Sequence, residues 1–293
     1  MVLESLITPL AAERKPWDMF FIGIFYSTIA MFLGLWIFYE QSSLVMVFLT
    51  SLACVPLIFH AIRREEKNED HKKEVILLKE HSRVICFLVC LFFGFIISFS
   101  LWYVFLPAHM TETMFATQIQ TISAINAKIS GSAATIGSFV GIGAIRDLTG
   151  ELTSDQLFWK ILENNVKVLM FCIFFSFFYG SGAIFILTWN ASVISAAIGN
   201  FVRTNLSTVT GIGYFSIFSI GVFRYMTHGV FEILAYFMGA LAGGIISVAV
   251  IRHELGTKQF KHVLLDSVDV ILLATGVLFL AAFVEVYITP ALF

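Results

Sequence analysis

The sequence predicts an all-α, polytopic transmembrane helical bundle of about seven spans, with six as the other count it allows, and three observations carry that prediction. Apolar residues make up 58% of the chain and charged residues only 13%, where a soluble domain needs roughly a quarter charged residues to cover its surface. Phenylalanine alone fills 32 of 293 positions. Apolar stretches of roughly 20 residues, the length that crosses a hydrocarbon core, recur from end to end. Hydrocarbon is therefore the expected solvent. A net charge of −2 supplies no basic surface and argues against nucleic acid as a partner.

Taken in order, residues 1–62 read as a transmembrane hairpin, with spans Trp17–Tyr39 and Ser43–Ile62. The first is a full span with no small-residue cleavage site behind it, so no cleavable leader is expected. Trp17, Trp36, Tyr39, Trp102, Tyr103 and Trp189 lie near span ends, where interfacial aromatics collect. Residues 63–83 (RREEKNEDHKKEVILLKEHSR) hold seven of the eighteen Lys and Arg residues. Mixed in sign, with Glu and Lys three or four apart, this connection is compatible with a helix. Positive charge so close to two spans predicts a cytoplasmic location, and Arg14 and Lys15 put the N-terminus on the same side.

The span at 84–106 then delivers a connection, 107–163, to the outside. Phe115, Ile119, Ile122, Ile125 and Ile129 recur at helical spacing within it, predicting an amphipathic helix. A small-residue run, Gly131–Ile145 (GSAATIGSFVGIGAI), follows. It reads as an apolar loop packed on the protein's own helices, with a membrane dip or a partner contact as the alternatives. Residues 164–293 form the C-terminal core, with spans expected at Val166–Trp189, Gly229–Ile251 and Val268–Thr289, the last containing Asp269 and Glu285. Asn205–Phe223 is a weaker span because its first half is TNLSTVTG. If it crosses, there are seven spans and Arg252, Lys258 and Lys261 are cytoplasmic; if it dips and returns, there are six and these cations lie outside. The positive-inside tendency favours seven.

In such a chain the polar exceptions carry the functional information. His228 and Glu232 are one turn apart, and at about 100° per residue Ala235, Gly239 and Gly243 share their face. Ala-xxx-Gly-xxx-Gly is a seam that lets a second helix approach closely, within the chain or in a homo-oligomer. The His–Glu pair is thus expected to face protein, either as a functional site or as a hydrogen-bonded packing pair. Glu163, Asn164 and Asn165 open the fourth span, and with seven spans they converge with His228 and Glu232 at the outer face. Gly180, Ser181 and Gly182 make a close-contact site, while Asn190 and Asn200 read as caps or interhelical hydrogen bonds before they read as ligand groups. Cys54, Cys86, Cys90 and Cys172 all lie in apolar stretches and read as small packing residues. No enzyme signature emerges: His253-Glu254 lacks the second His of a zinc-protease helix, and no nucleophile elbow or P-loop occurs. His228 and Glu232 lack a third metal ligand. No catalytic residue, metal or cofactor is expected.

The ordered set of Asn164-Asn165, Gly180-Ser181-Gly182, Asn190 and His228-Gly229-x-x-Glu232 resembles the stage II sporulation protein M family, in particular its longer archaeal-type members. ENNVKVLMFCIFFSFFYGSGAIFILTWNASVISAAIGNF and HGVFEILAYFMGALAGGIISVAVIRHE look like that family's core. The N-terminal TPLAAERKPWDMFF and first hairpin are similar only to the longer members. The resemblance implies a multi-pass cell-membrane protein with no assigned catalytic residues and a five-span core with its N-terminus inside. It also implies a role anchoring or localising partners, which in spore formers are cell-wall hydrolases at the outer face. The functional expectation is a membrane scaffold whose partners are the bilayer and other membrane-associated proteins. The alternative is a transporter or ion pathway that uses His228 and Glu232 beside broken helices.

Overall fold

The computed structural model describes residues 16–69, 74–130, 154–179, 182–206, 213–251 and 257–293. The described chain is helical throughout: α1 (Pro16–Ile37), a 3-10 turn (Tyr39–Gln41), α2 (Ser42–Glu69), α3 (Glu74–Phe105), α4 (Ala108–Met114) and α5 (Ala116–Ser130) come first. Then follow α6 (Ser154–Tyr179), α7 (Ala183–Leu206), α8 (Gly213–Ile251), α9 (Lys258–Phe283), a π-helical turn (Val284–Ile288) and α10 (Thr289–Leu292). Seven of these helical stretches are long and apolar enough to cross a membrane. The basic connection 63–83 is helical on both sides of residues 70–73, which lie outside the described residues, so it prolongs α2 and α3.

The count of seven agrees with the sequence reading, but the chain is divided differently. The expected fourth span, Val166–Trp189, is two helices, α6 and α7, that meet at the turn containing Gly182, where Phe185 N–H donates to the Gly182 carbonyl at 3.3 Å. Hydropathy runs unbroken through this point because both flanks are apolar, and the break at Gly182 is not signalled by it; Gly180 and Ser181 lie outside the described residues. In compensation, the part of the expected span Asn205–Phe223 from Gly213 onward and the expected span Gly229–Ile251 are one helix of 39 residues, α8. Asn205 lies in the last turn of α7, and residues 207–212 lie outside the described residues. At 1.5 Å per residue α8 is roughly 58 Å long, about twice the hydrocarbon thickness. The fourth span also starts early, because α6 opens at Ser154, within the connection read as 107–163.

The first layer is the pair α1 and α3, which run parallel. Thr28 and Ser98 hydroxyls lie 3.0 Å apart, Trp102 Nε1 donates to Thr28 at 3.2 Å, and Phe32 meets the Trp102 ring edge-on. Gly23 and Gly94 face each other where the backbones cross, and a Cβ on either would run into the other helix's carbonyls. The small-residue contact between spans thus occurs here without being signalled by a GxxxG spacing.

α4 and α5 fold back onto this layer as one kinked rod, with Phe115 at the kink. Phe115 is fully buried between Phe99 and Tyr103. Gln118, also fully buried, accepts from Ser43 Oγ at 2.8 Å and donates to Ser192 Oγ at 3.1 Å, joining α5 to α2 and α7. Ile119 and Ile122 pack on the core, as the amphipathic stripe requires; the side chains of Ile125 and Ile129, and the run Gly131–Ile145, lie outside the described residues. Arg203 of α7 donates to the carbonyl of Leu106 and sits 5.5 Å from the Tyr103 ring, placing a cation at the C-terminal end of α3 where the helix dipole favours one.

α8 is the most buried of the seven and forms the axis around which α6, α7 and α9 pack. Large apolar side chains, among them Phe21, Phe48, Phe105, Phe171, Phe215 and Leu272, point outward from the bundle. Such a surface is tolerable only in contact with hydrocarbon. Cys54 and Cys172 are buried packing residues as expected, whereas Cys86 is exposed on the outer face.

Candidate functional site

The polar site grows out of the axis helix. On α8, His228 and Glu232 are four residues apart and share one face, and that face is pressed against α6 and the C-terminal turn. Close approach to α6 depends on the glycines two and three turns beyond Glu232: Gly239 meets Leu169 and Ile173, and a Cβ on Gly243 would lie 2.5 Å from the Ile173 carbonyl oxygen. Ser176 Oγ donates to the Ala240 carbonyl at 2.6 Å, a side-chain bond that fixes the axial register of the two helices. Ala235 is fully buried on the same face. Residues rising in number along α6 meet residues rising along α8, so the two run parallel.

In that register Asn165, in the middle of α6 and 5% exposed, lies beside Glu232. Its Nδ2 donates to Glu232 Oε1 at 2.6 Å. Glu232 itself remains partly accessible, while His228 is buried. On the other side of His228 stands the π-helical turn. Widening the turn by one residue re-aims side chains inward, and such bulges recur at functional sites. Here it brings Glu285, which is buried, so that its Oε1 lies 3.9 Å from His228 Nε2. Thr289 follows, with its hydroxyl donating to the Val284 carbonyl at 3.1 Å and standing 3.4 Å from His228 Nδ1. Tyr287, in the same turn, donates to Asp155 in the first turn of α6 at 2.9 Å.

The site therefore joins three segments: Asn165 from α6, His228 and Glu232 from α8, and Glu285 and Thr289 from the C-terminal turn. Of the residues expected to converge, Asn165, His228 and Glu232 meet, and Glu163 and Asn164 do not. Those two point outward because neighbouring helical positions are turned by about 100°; both are exposed, and Glu163 pairs with Lys167 instead. Asn190 is also apart from the site and donates to the Ile186 carbonyl of its own helix at 2.9 Å. Gly182 belongs to the α6–α7 turn, and Gly180 lies outside the described residues. Among the described residues no three His, Cys, Asp or Glu side chains are grouped to hold a metal ion.

Glu285, Thr289 and Arg224 are members or neighbours of the site that the sequence reading did not assign to it. Arg224 stands one turn before His228, near enough to act on it electrostatically, with its guanidinium 5.5 Å from the Phe201 ring. A signal did exist for Glu285, since an ionisable residue within a span is a functional candidate in its own right. Its partner was hidden, because only the π turn brings it level with His228.

Comparison with known proteins adds the ancestry. An uncharacterized protein of Methanocaldococcus jannaschii is 29% identical over 151 residues, which is 50% of this chain and 78% of the relative. No solved structure matches the chain. The stage II sporulation protein M family matches over residues 83–290, a wider stretch than the motifs from Asn164 to Glu232 that carry the resemblance. That match takes in α3, the folded-back rod and every residue of the polar site; with seven helices apolar enough to span a bilayer, this chain belongs to the stage II sporulation protein M family and is a multi-pass membrane protein.

Proposed function

We propose that the protein is a non-catalytic scaffold or localiser that holds partner proteins at the cell membrane, and that the segment between α5 and α6 does the holding. The supporting observation is the seating of the α4–α5 rod. Phe115 and Gln118 are fully buried in the bundle, so the chain after Ser130 departs from a rigid base and returns to another, α6. The intervening sequence opens with the small, apolar run Gly131–Ile145, a composition that allows close packing against a partner's helix. The family resemblance, which implies an anchoring role, points the same way.

Charge supports an orientation for this reading. Seven Lys and Arg residues in 63–83, together with Arg14 and Lys15, favour a cytoplasmic N-terminus and first connection. Seven crossings then leave residues 107–153 and the C-terminus outside. A compartment-sensitive reporter fused after Phe293 is expected to report the outer side; a cytoplasmic signal would reverse the face offered to partners.

The scaffold reading is tested by a deletion confined to residues 131–150. Removing Thr111, Met114, Phe115 or Gln118 as well would cut into the core. The shortened protein is expected to insert and fold normally and to lose its co-purifying partners. If the partner set is unchanged, this segment is not the attachment site.

A second reading, an ion or proton pathway, is favoured by one observation: Glu285 adds a second carboxylate beside His228 and Glu232. Flux into proteoliposomes that is lost in Glu232→Gln supports it, and equal flux for both proteins removes that role.

A further inference from the structure

We propose that His228, Glu232 and Glu285 form a proton-binding site within the membrane-spanning bundle, the proton being held between the His228 imidazole and the Glu285 carboxyl. The site is independent of the scaffold reading and deepens the pathway reading by naming its ligand, though binding can hold where transport fails.

Glu285 is the starting point. It is 7% exposed, its nearest charged or chargeable partner among the described residues is His228, and its oxygens are not among the wholly enclosed unpartnered atoms, so the carboxyl is nearly but not completely sealed. Its polar neighbour is His228 Nε2, 3.9 Å from Oε1 and beyond hydrogen-bond distance. A carboxylate this enclosed and without a donor is disfavoured as the anion. The other face of the imidazole explains why no donor is present. Thr289 gives its single hydroxyl proton to the Val284 carbonyl at 3.1 Å, so it meets His228 Nδ1, 3.4 Å away, as an acceptor. Nδ1 then carries the ring hydrogen, and in the neutral ring Nε2 presents a lone pair. A lone pair therefore faces a carboxylate across the gap, and one proton is what the pair lacks. Placed on Nε2 it makes a donor to Glu285; placed on Glu285 it makes a donor to Nε2.

Charge balance over the surrounding groups agrees. From α8 come Arg224, Glu232 and Tyr236; from α6 come Asn165, Cys172 and Asp155, the last engaged with Tyr287. Arg224 is the one permanent cation in this set; it acts on His228 and sits over the Phe201 ring, so the two inner carboxylates have no fixed cation of their own among these groups. The proton balances one of them. Glu232 is the nearest further carboxyl through which the proton can exchange; its Oε1 accepts from Asn165 at 2.6 Å, and among the described residues no hydrogen bond engages its Oε2. The absence of a three-ligand group among the described residues favours a proton over a metal cation.

Infrared difference spectra of the full chain in lipid nanodiscs, recorded between two pH values in sodium-free buffer, test the site. A protonation band from the His228–Glu285 pair, carboxyl or imidazolium according to which partner holds the proton, is expected in the wild type, and that component is expected to be absent in Glu285→Gln, whatever bands other carboxyls contribute. If Glu285→Gln does not fold, His228→Gln is the second variant, and the band should shift because its hydrogen-bond partner has changed. The same band in wild type and Glu285→Gln overturns the proposal, as does a band unmoved in His228→Gln, or one that answers to sodium at fixed pH. A wild-type band without proton flux in proteoliposomes leaves the site standing and removes the pathway reading.

Discussion

Gly243→Leu is expected to prevent α6 and α8 from closing on each other and to unfold the C-terminal half of the bundle. A Cβ at position 243 would already sit 2.5 Å from the Ile173 carbonyl oxygen, and that neighbour is backbone, which cannot swing aside. Overpacking a core commonly costs 1–3 kcal/mol, and a clash with a helix backbone belongs at about 3 kcal/mol or above. The site is lost with the seam, because the Asn165–Glu232 bond exists only in the register that Gly239, Gly243 and the Ser176–Ala240 bond set. Gly276→Leu is the matched control. A Cβ there meets nothing within 4 Å, and the residue is exposed, so the change is expected to be neutral or to stabilise the helix by up to roughly 1 kcal/mol. Thermal unfolding in detergent, followed by labelling of buried Cys54 and Cys172 in a Cys86→Ser background, measures both. Equal melting temperatures for the two glycine variants would remove the seam as the determinant of this packing.

The glycines also show where a membrane sequence is legible. Ala235, Gly239 and Gly243 repeat at a spacing that marks a close face, and the structure puts α6 against Gly239 and Gly243. Gly23 and Gly94 make the corresponding contact in the N-terminal layer; each has a serine four residues on, Ser27 and Ser98, a small-residue spacing weaker than the Ala235-Gly239-Gly243 repeat and one that does not single them out. The number of spans follows from hydropathy, which every lipid-facing helix must satisfy. Span boundaries follow from it only where polar residues interrupt it. Between Tyr179 and Ala183, where Gly182 forms a turn, no strongly polar stretch interrupts the hydropathy, and two helices read as one. At Arg224–His228 the reverse holds: polar residues that could have ended a span lie on a continuous α8, because Arg224 stacks near Phe201 and His228 is enclosed by the C-terminal turn. The site was legible to the same extent. His228, Glu232 and the Asn pair stood out as polar exceptions, but choosing Asn165 over Asn164 requires the rotational position of α6, which side-chain packing sets.

Asn165→Leu is expected to destabilise the protein by about 2 kcal/mol, the scale on which a buried hydrogen bond to a charged or chargeable group contributes. Leucine is close to asparagine in size, so the cavity term is small and the loss falls on the 2.6 Å bond to Glu232. A double-mutant cycle with Glu232 separates that bond from the other effects of changing a buried residue. Glu232→Leu should also destabilise, because it strands the Asn165 amide. The double variant should be less damaged than the sum of the two by roughly 1 kcal/mol or more, since contacting partners of one bond are not additive. Glu232→Gln should sit near wild type, because its amide oxygen can still accept from Asn165. Additive losses across the cycle would mean that the two side chains are neighbours without coupling. Glu232 would then be free to serve the proton alone, and the contact between α6 and α8 would rest on the glycine seam and the Ser176–Ala240 bond.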